Sequence, residues 1–305
     1  MDVKRLELLR ELAERGSIAA VAKATHRTPS AVSQQLKVLE REAGVALTER
    51  SGRGIVLTGS GRVLAQTATD VAVALERAQA TWEDFVAAPQ GEVTLATFPT
   101  AGQMLLPGLL RTIAEAPGLS VVATDHDPST LAFADLAADH DVVIAHSPDG
   151  RSWRAKKGLL TVPLLTEPLD VALPADHRLA QRASLSPHDL VDESWIGVPS
   201  DWPFEWVYRE IERITGQPTR IRQRFSDTKV TEALVGAGLG IAILPRFTAA
   251  GARDDMVLLP LEGLRAVRYV SVLMRRDRAE RPSVRRVVDA LRAEASRVAA
   301  LHGGV

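Results

Sequence analysis

From Thr28 to Arg41 the chain sets hydroxyl, amide and cationic side chains at helical spacing. Thr28-Pro29-Ser30 opens a helix, with a hydroxyl at the N-cap and a proline where the missing N–H costs nothing. Val32, Leu36 and Leu39 recur at i, i+4 and i+7 and mark the buried side. Ser30, Gln34, Lys37 and Arg41 gather on the opposite side, with Ser33 on its flank. That side holds no carboxylate. Such groups hydrogen-bond to base edges and pair with phosphates, and a helix presenting them fits the DNA major groove. The competing reading is a solvated face on an ordinary helical hairpin.

Something must position that face. Residues 18–24 read as a short Ala-rich helix, and 25–27 as the tight connection of a helix-turn-helix. Residues 3–15 form an amphipathic helix, with Leu6, Leu9, Leu12 and Ala13 on one stripe to pack against the pair. After Gly44, two apolar runs at 45–47 and 55–57 flank a Gly-rich basic turn, which reads as a β-hairpin wing closing a first domain over 1–58. Arg50 and Arg53 fall at or near its tip, placed for phosphates or a minor groove. A solvated turn whose glycines serve geometry alone is the alternative.

Thr58-Gly59-Ser60 then starts a helix reaching about residue 88, so 59–90 is a linker. Leu64, Ala68, Val71, Leu75, Ala78, Trp82 and Phe85 are spaced alternately by four and three, a heptad seam. At about 1.5 Å per residue the helix spans roughly 45 Å. The seam predicts pairing with a second copy, or packing on the chain's own C-terminal part. From Gly91 the pattern changes to strands (93–97, 120–124, 141–145) alternating with helices (103–115, 129–138). A second such set follows: strands at 170–173, 195–198, 220–225 and 241–244, with helices near 204–215 and 227–236. A strand at 267–274 and a helix at 283–300 finish the chain, and two α/β sets predict two lobes with a cleft between them.

The 305 residues are enough for two or more units with their own cores, at an ordinary 46% hydrophobic and 25% charged content. The net charge of −1 hides an asymmetry: eleven Lys and Arg face seven Asp and Glu through Arg62, against 26 and 31 in the remainder. A basic head on an acidic body predicts that the head alone meets a polyanion. The absence of cysteine excludes disulfides, thiolate zinc sites and thiol nucleophiles. The N-terminus mixes charges and lacks an apolar core, and no apolar run approaches the roughly 20 residues of a membrane span. The expectation is a cytoplasmic protein with no membrane contact.

Other motifs carry less. Gly236, Gly238 and Gly240 follow a helix and precede a strand, the reverse of a nucleotide fingerprint, and suit a helix C-cap and turn. Gly59 and Gly61 lie in a stretch without the Lys of a phosphate loop. His126, His140 and His146, with Asp125, Asp127 and Asp141, fall at the ends of different strands without ligand spacing, so no metal is expected. His177 and His188 read as loop or helix-start residues. No serine sits in a nucleophile elbow, and an enzyme reading has little support. Trp202, Phe204 and Trp206 crowd one loop and helix start in a chain with 4% aromatics. They suit an apolar ligand pocket, and Trp206 suits a plain core role equally.

Over nearly its full length the chain resembles the LysR-type transcriptional regulators. The matching stretches are GSIAAVAKATHRTPSAVSQQLKVLEREAGVALTER with LTGSGR, then EPLDVALPADHRLA, then VGAGLGIAILPR. The resemblance implies an α+β multidomain protein: a winged helix-turn-helix, a dimerising linker helix, and a two-lobed α/β effector domain of periplasmic-binding-protein type over 91–305. The chain would cross between lobes twice, giving lobe 1 as about 91–162 with 268–300 and lobe 2 as about 163–267. DNA contacts carried over fall on Thr28, Pro29, Ser30, Ser33, Gln34 and Lys37, with Arg50 and Arg53 in the wing. The implied effector cleft holds Pro99, Thr100 and Ala101, then Pro128, Ser129 and Thr130, with Ser200, Asp201 and Trp202 opposite and Phe225, Ser226 and Asp227 closing it. Implied partners are double-stranded DNA, a small-molecule effector and further copies of the chain as a homodimer or homotetramer. RNA polymerase is a further candidate, and no cofactor is implied.

Three positions depart from the family pattern. Many members carry glutamine where Pro29 stands, leucine where Thr25 stands and phenylalanine where Thr48 stands. Two rivals remain open at this point: a solute-binding protein of the transport class, which would have no use for the basic head, and an enzyme with an accessory DNA-binding head. Trp202 and Phe204 lean the implied effector towards a partly apolar or aromatic molecule.

Overall fold

The computed structural model describes the chain apart from residues 52–53, 87–89, 129–131, 154–157, 201, 250–253 and 304–305, and the side chains of 83–86. Helix α1 (Val3–Arg15) begins on Asp2, whose carboxylate accepts the Lys4 N–H, and stops at Gly16 in the left-handed conformation. Helix α2 (Ile18–Ala24) starts on Ser17, and α3 (Pro29–Ala43) on Thr28, whose hydroxyl accepts the Ala31 N–H. The apolar sides of the three converge on one core, in which Leu9, Val21, Val32 and Leu39 lose all exposure.

The wing is β1 (Thr48–Ser51) paired antiparallel with β2 (Gly54–Leu57). Its first strand starts at Thr48, directly after the apolar run at 45–47. That run is a connection instead: the Leu47 and Thr48 N–H groups donate to Glu40, and the Thr58 hydroxyl donates to the Ala46 carbonyl. The Leu47 N–H and the Ala46 carbonyl are thus satisfied outside the ladder, which begins at Thr48 opposite Leu57. Helix α4 (Gly59–Val86) then runs 28 residues, about 42 Å. It enters so close to the head that a Cβ on Gly61 would stand 2.0 Å from the Leu47 carbonyl oxygen, which is why glycine sits there.

Beyond the linker, β3 (Gly91–Thr97), α5 (Pro99–Ala114), β4 (Leu119–Asp125), α6 (Phe133–Leu136) and β5 (Val142–Ser147) build the first lobe. Strands β4 and β5 both run parallel to β3. Of the helix expected over 129–138, the described part is the single turn α6. Next comes β6 (Leu159–Pro174), sixteen residues where a short strand at 170–173 was expected. Pro163 and Pro168 within it argue against a strand on local rules. The structure accommodates Pro163 at a register shift and Pro168 where the pairing ends.

The second lobe holds β7 (Ser194–Gly197), α7 (Glu205–Thr215), β8 (Arg220–Arg224), α8 (Thr228–Gly236), β9 (Ala242–Pro245), α9 (Arg246–Ala249) and β10 (Met256–Leu259). The chain returns through β11 (Val267–Arg275) to α10 (Pro282–Leu301). One mixed sheet threads both lobes in the order β10-β6-β11-β5-β3-β4, with β9 also on β6. Residues 159–168 of β6 pair with β11, while Leu169–Pro174 pair with β9 and β10, so the crossing points lie near 168 and 266. Each lobe keeps its own apolar core.

Candidate functional site

On the head, Thr28, Pro29, Ser30, Gln34, Lys37 and Arg41 are exposed and Ser33 is half-buried, so the expected polar side of α3 is open to solvent. The Thr28 and Ser30 hydroxyls are 3.0 Å apart. Glu40 borders a groove with Gln34, Lys37 and Arg41, and its carboxylate is engaged by the chain that leads into the wing. One of its oxygens accepts the Leu47 and Thr48 N–H groups and the Thr48 hydroxyl, each at 2.9 Å. Partial burial works against its charge, and these hydrogen bonds outweigh it, holding the carboxyl below the usual range. Thr48 thus ties the wing to α3 with a hydroxyl. Thr25 likewise anchors the turn by donating to the Val21 carbonyl at 2.8 Å. Arg50 is exposed on β1 beside a groove shared with Ser17, Ser33 and Gly54. Arg53 lies outside the described residues.

The linker seam divides. Leu64 packs on the head core and Ala68 is buried in it, so these two are corrected from partner contacts to internal ones. Val71 is half-buried, Ala78 is exposed, and Leu75 and Trp82 are 51% and 61% exposed. A strict heptad drifts about 20° per repeat on a straight helix, which helps turn the seam from the head towards solvent. The Phe85 side chain lies outside those described.

Between the lobes is a cavity of about 460 Å³. The first turn of α5 supplies Pro99, Thr100 and, just before it, Phe98; Trp202 and Phe204 precede α7; Phe225, Ser226 and Asp227 lead into α8. Of the expected cleft residues, Pro99, Thr100, Trp202, Phe225, Ser226 and Asp227 line it. Ala101 does not: it points the other way, into the first lobe's core with no exposure. Pro128 and Ser200 do not line it either; Ser200 is exposed on the loop ahead of Trp202. Ser129, Thr130 and Asp201 are outside the described residues. Trp206 packs on the second lobe's core.

Sequence reasoning missed the groups at the cleft floor. Arg268, at the start of β11, is 2% exposed and pairs with Glu167, its Nε at 2.6 Å from the carboxylate. Its Nη2 donates to the Thr100 hydroxyl at 3.0 Å, and its guanidinium lies 5.0 Å and 5.6 Å from the Phe98 and Phe204 ring centres. Glu167 is fully buried, and its other oxygen accepts the Phe247 N–H at 2.8 Å. His146 sits among Phe98, Phe133 and Phe204, and burial first, then Arg268, holds it neutral far below its ordinary range. Asp127 is pushed up to about 6 by burial, against the pull of Arg268 and with a smaller push from Asp125. Phe204 itself has φ 85°, a left-handed backbone that a side chain rarely adopts.

Two family models match the chain: the LysR substrate binding domain over residues 87–296, and the bacterial regulatory helix-turn-helix protein of the lysR family over 3–62. The chain belongs to the LysR family. This regulator is 25% identical to the transcriptional dual regulator GltC of Bacillus subtilis, across 93% of this chain and 94% of GltC. Full-length OxyR from Pseudomonas aeruginosa shares the fold at TM-score 0.64 and 24% identity, covering 96% of this chain and 98% of that one. CbnR, solved full-length with its target DNA, aligns at TM-score 0.54 and 26% identity over 97% of this chain and 100% of its own. The LysR fold accounts for both the open polar helix and the effector cleft. No group of three His, Cys, Asp or Glu side chains that could hold a metal occurs among the described residues. None of the described helices is long and apolar enough to cross a membrane.

The regulator's head is also tied to its first lobe. Arg275 donates to Glu11 at 2.8 Å and Glu14 at 2.9 Å and pairs with Asp277, which also accepts Arg10 at 2.7 Å. Arg15 reaches Asp139 at 2.8 Å and the Ala138 carbonyl at 3.0 Å. Arg10, Glu11, Arg275 and Asp277 are all buried. Arg275 and Arg10 hold the Asp277 carboxyl below its usual range although burial opposes them, whereas burial raises Glu14.

Proposed function

We propose that this LysR-family regulator binds paired DNA half-sites as an oligomer, and that a small molecule in the interlobe cleft shifts that binding. The carrying observation is the exposed, carboxylate-free side of α3 beside the wing. Ser30, Ser33 and Gln34 are the base-reading groups; Thr28 and Pro29 set the helix end that approaches the groove. Lys37, Arg50 and Arg53 hold phosphates. The target DNA bound to CbnR supports carrying that partner over to this chain.

Two copies would pair through Val71, Leu75, Ala78 and Trp82, where α4 offers an apolar stripe to solvent, and two dimers would make the tetramer. Pairing spaces the half-sites by whole turns of about 10–10.5 base pairs. Such a protein works in the cytoplasm, contacts RNA polymerase at the promoters it governs, and catalyses no reaction. Effector coupling is of the usual size, about 1–3 kcal/mol. Footprinting on duplexes selected from a random pool tests this. Two protected half-sites on one face of the duplex are expected, and protection without sequence preference or without a repeat would contradict it.

A further inference from the structure

We propose that the interlobe cleft selects a ligand carrying a protonated amine on an apolar, aromatic body, with Asp127 as the residue that reads the amine charge. This rests on the cleft being the effector site. The charged groups lining the cavity can be taken one at a time. Arg268 gives its Nε to Glu167 and its Nη2 to Glu167 and Thr100, and is flanked by the Phe98 and Phe204 rings. Lys229 is held by both oxygens of Glu232, at 3.0 Å and 3.1 Å. Asp227 caps α8, accepting the Lys229 N–H at 2.7 Å. His146 is neutral.

Asp127 remains. No hydrogen bond or ion pair reaches its carboxylate among the described residues, yet it faces the cavity and is partly buried. A half-buried carboxylate without a donor is costly, and a cation or strong donor in the cavity would relieve that cost. A carboxylate ligand meets the opposite situation. It would sit beside Asp127, while Arg268 already gives its Nε and Nη2 to fully buried Glu167 and to Thr100. The walls fit the remaining part of such a ligand: Phe98, Trp202, Phe204 and Phe225 offer apolar surface around the polar floor.

The titration of Asp127 sharpens the expectation. Its carboxyl titrates at about 6, so at pH 7.5 it is ionised and at pH 5 only about a tenth of it is. The other charged or titratable groups around it are Arg268, Asp227, Lys229 and His146 on the cavity wall and Asp125 two residues before it, and burial keeps His146 neutral. Amine binding should therefore weaken about tenfold from pH 7.5 to 5.

Three probes of one shape separate the classes: 2-phenylethylamine, 2-phenylethanol and 3-phenylpropionate, titrated calorimetrically into the full-length chain. The amine should bind most tightly and the carboxylate least. Asp127→Asn should weaken the amine at least tenfold, leave the alcohol unchanged and erase the pH dependence, while Asp127→Glu keeps the order. Unliganded Asp127→Asn should melt no lower than the parent at pH 7.5, since it removes an uncompensated charge. Tighter binding of the carboxylate, an amine affinity indifferent to Asp127→Asn, or no binding by any probe overturns the proposal. Binding of selected duplex DNA by the same preparation tells the cases apart. A chain that grips its DNA but refuses the amine loses this inference alone, and one that binds no DNA loses the regulator reading.

Discussion

At the scale of single residues, a few buried charges do more than their number suggests. Arg275 satisfies three carboxylates at the joint between head and lobe, Glu11, Glu14 and Asp277. Removing one partner of a buried pair typically costs about 3–5 kcal/mol, because the groups left behind stay desolvated. Arg275→Ala should therefore loosen α1 specifically. Amide hydrogen exchange across α1 should accelerate at least tenfold, while the second lobe's core around Trp195 and Val207 stays protected. Unchanged exchange in α1 would mean that the head is held by packing alone. The same reasoning explains why such residues escape sequence reading. Arg268 and Glu167 stand 101 positions apart, and nothing local to either announces the other.

Among the elements, legibility follows how local the cause is. Helix α3 was readable because its cap, its Pro29 and its apolar repeat lie within one short stretch and need no partner to be recognised. The glycines after α8 were readable for the same reason: Gly236 ends that helix and Gly238, at φ 76°, turns the chain towards β9. Strand β6 was hidden, because two prolines speak against it locally while pairing with β11, β9 and β10 decides for it. The linker seam was half legible. Its period was visible in the residues, but which part the head would claim depended on how closely Gly61 lets α4 approach Leu47. The exposed part carries its own test. Leu75→Glu places a charge on a stripe that is already open to solvent, so the chain should fold normally. Sedimentation should show association weakened at least tenfold, and an unchanged assembly would remove this stripe from the interface.

For the whole molecule, β11 is the link that spans the distance between chemistry and DNA. Arg268 stands at its cleft end and Arg275 at the joint with α1, seven residues or about 23 Å apart along one strand. A ligand that shifts the lobes therefore acts on a strand whose far end holds the head. The polar side of α3 stays open in this arrangement, so docking of the head orients it without covering it. Whether that side lies in the major groove is the claim on which the account turns. The direct measurement is the affinity of the full-length chain for its selected duplex and for single-base variants, over a range of salt, beside Gln34→Ala and Arg50→Ala. Gln34→Ala should lose about 1–3 kcal/mol of discrimination at one base position and keep the salt slope. Arg50→Ala should weaken all duplexes alike and reduce the slope by about one. Identical sequence preference and salt slope in both variants would contradict it.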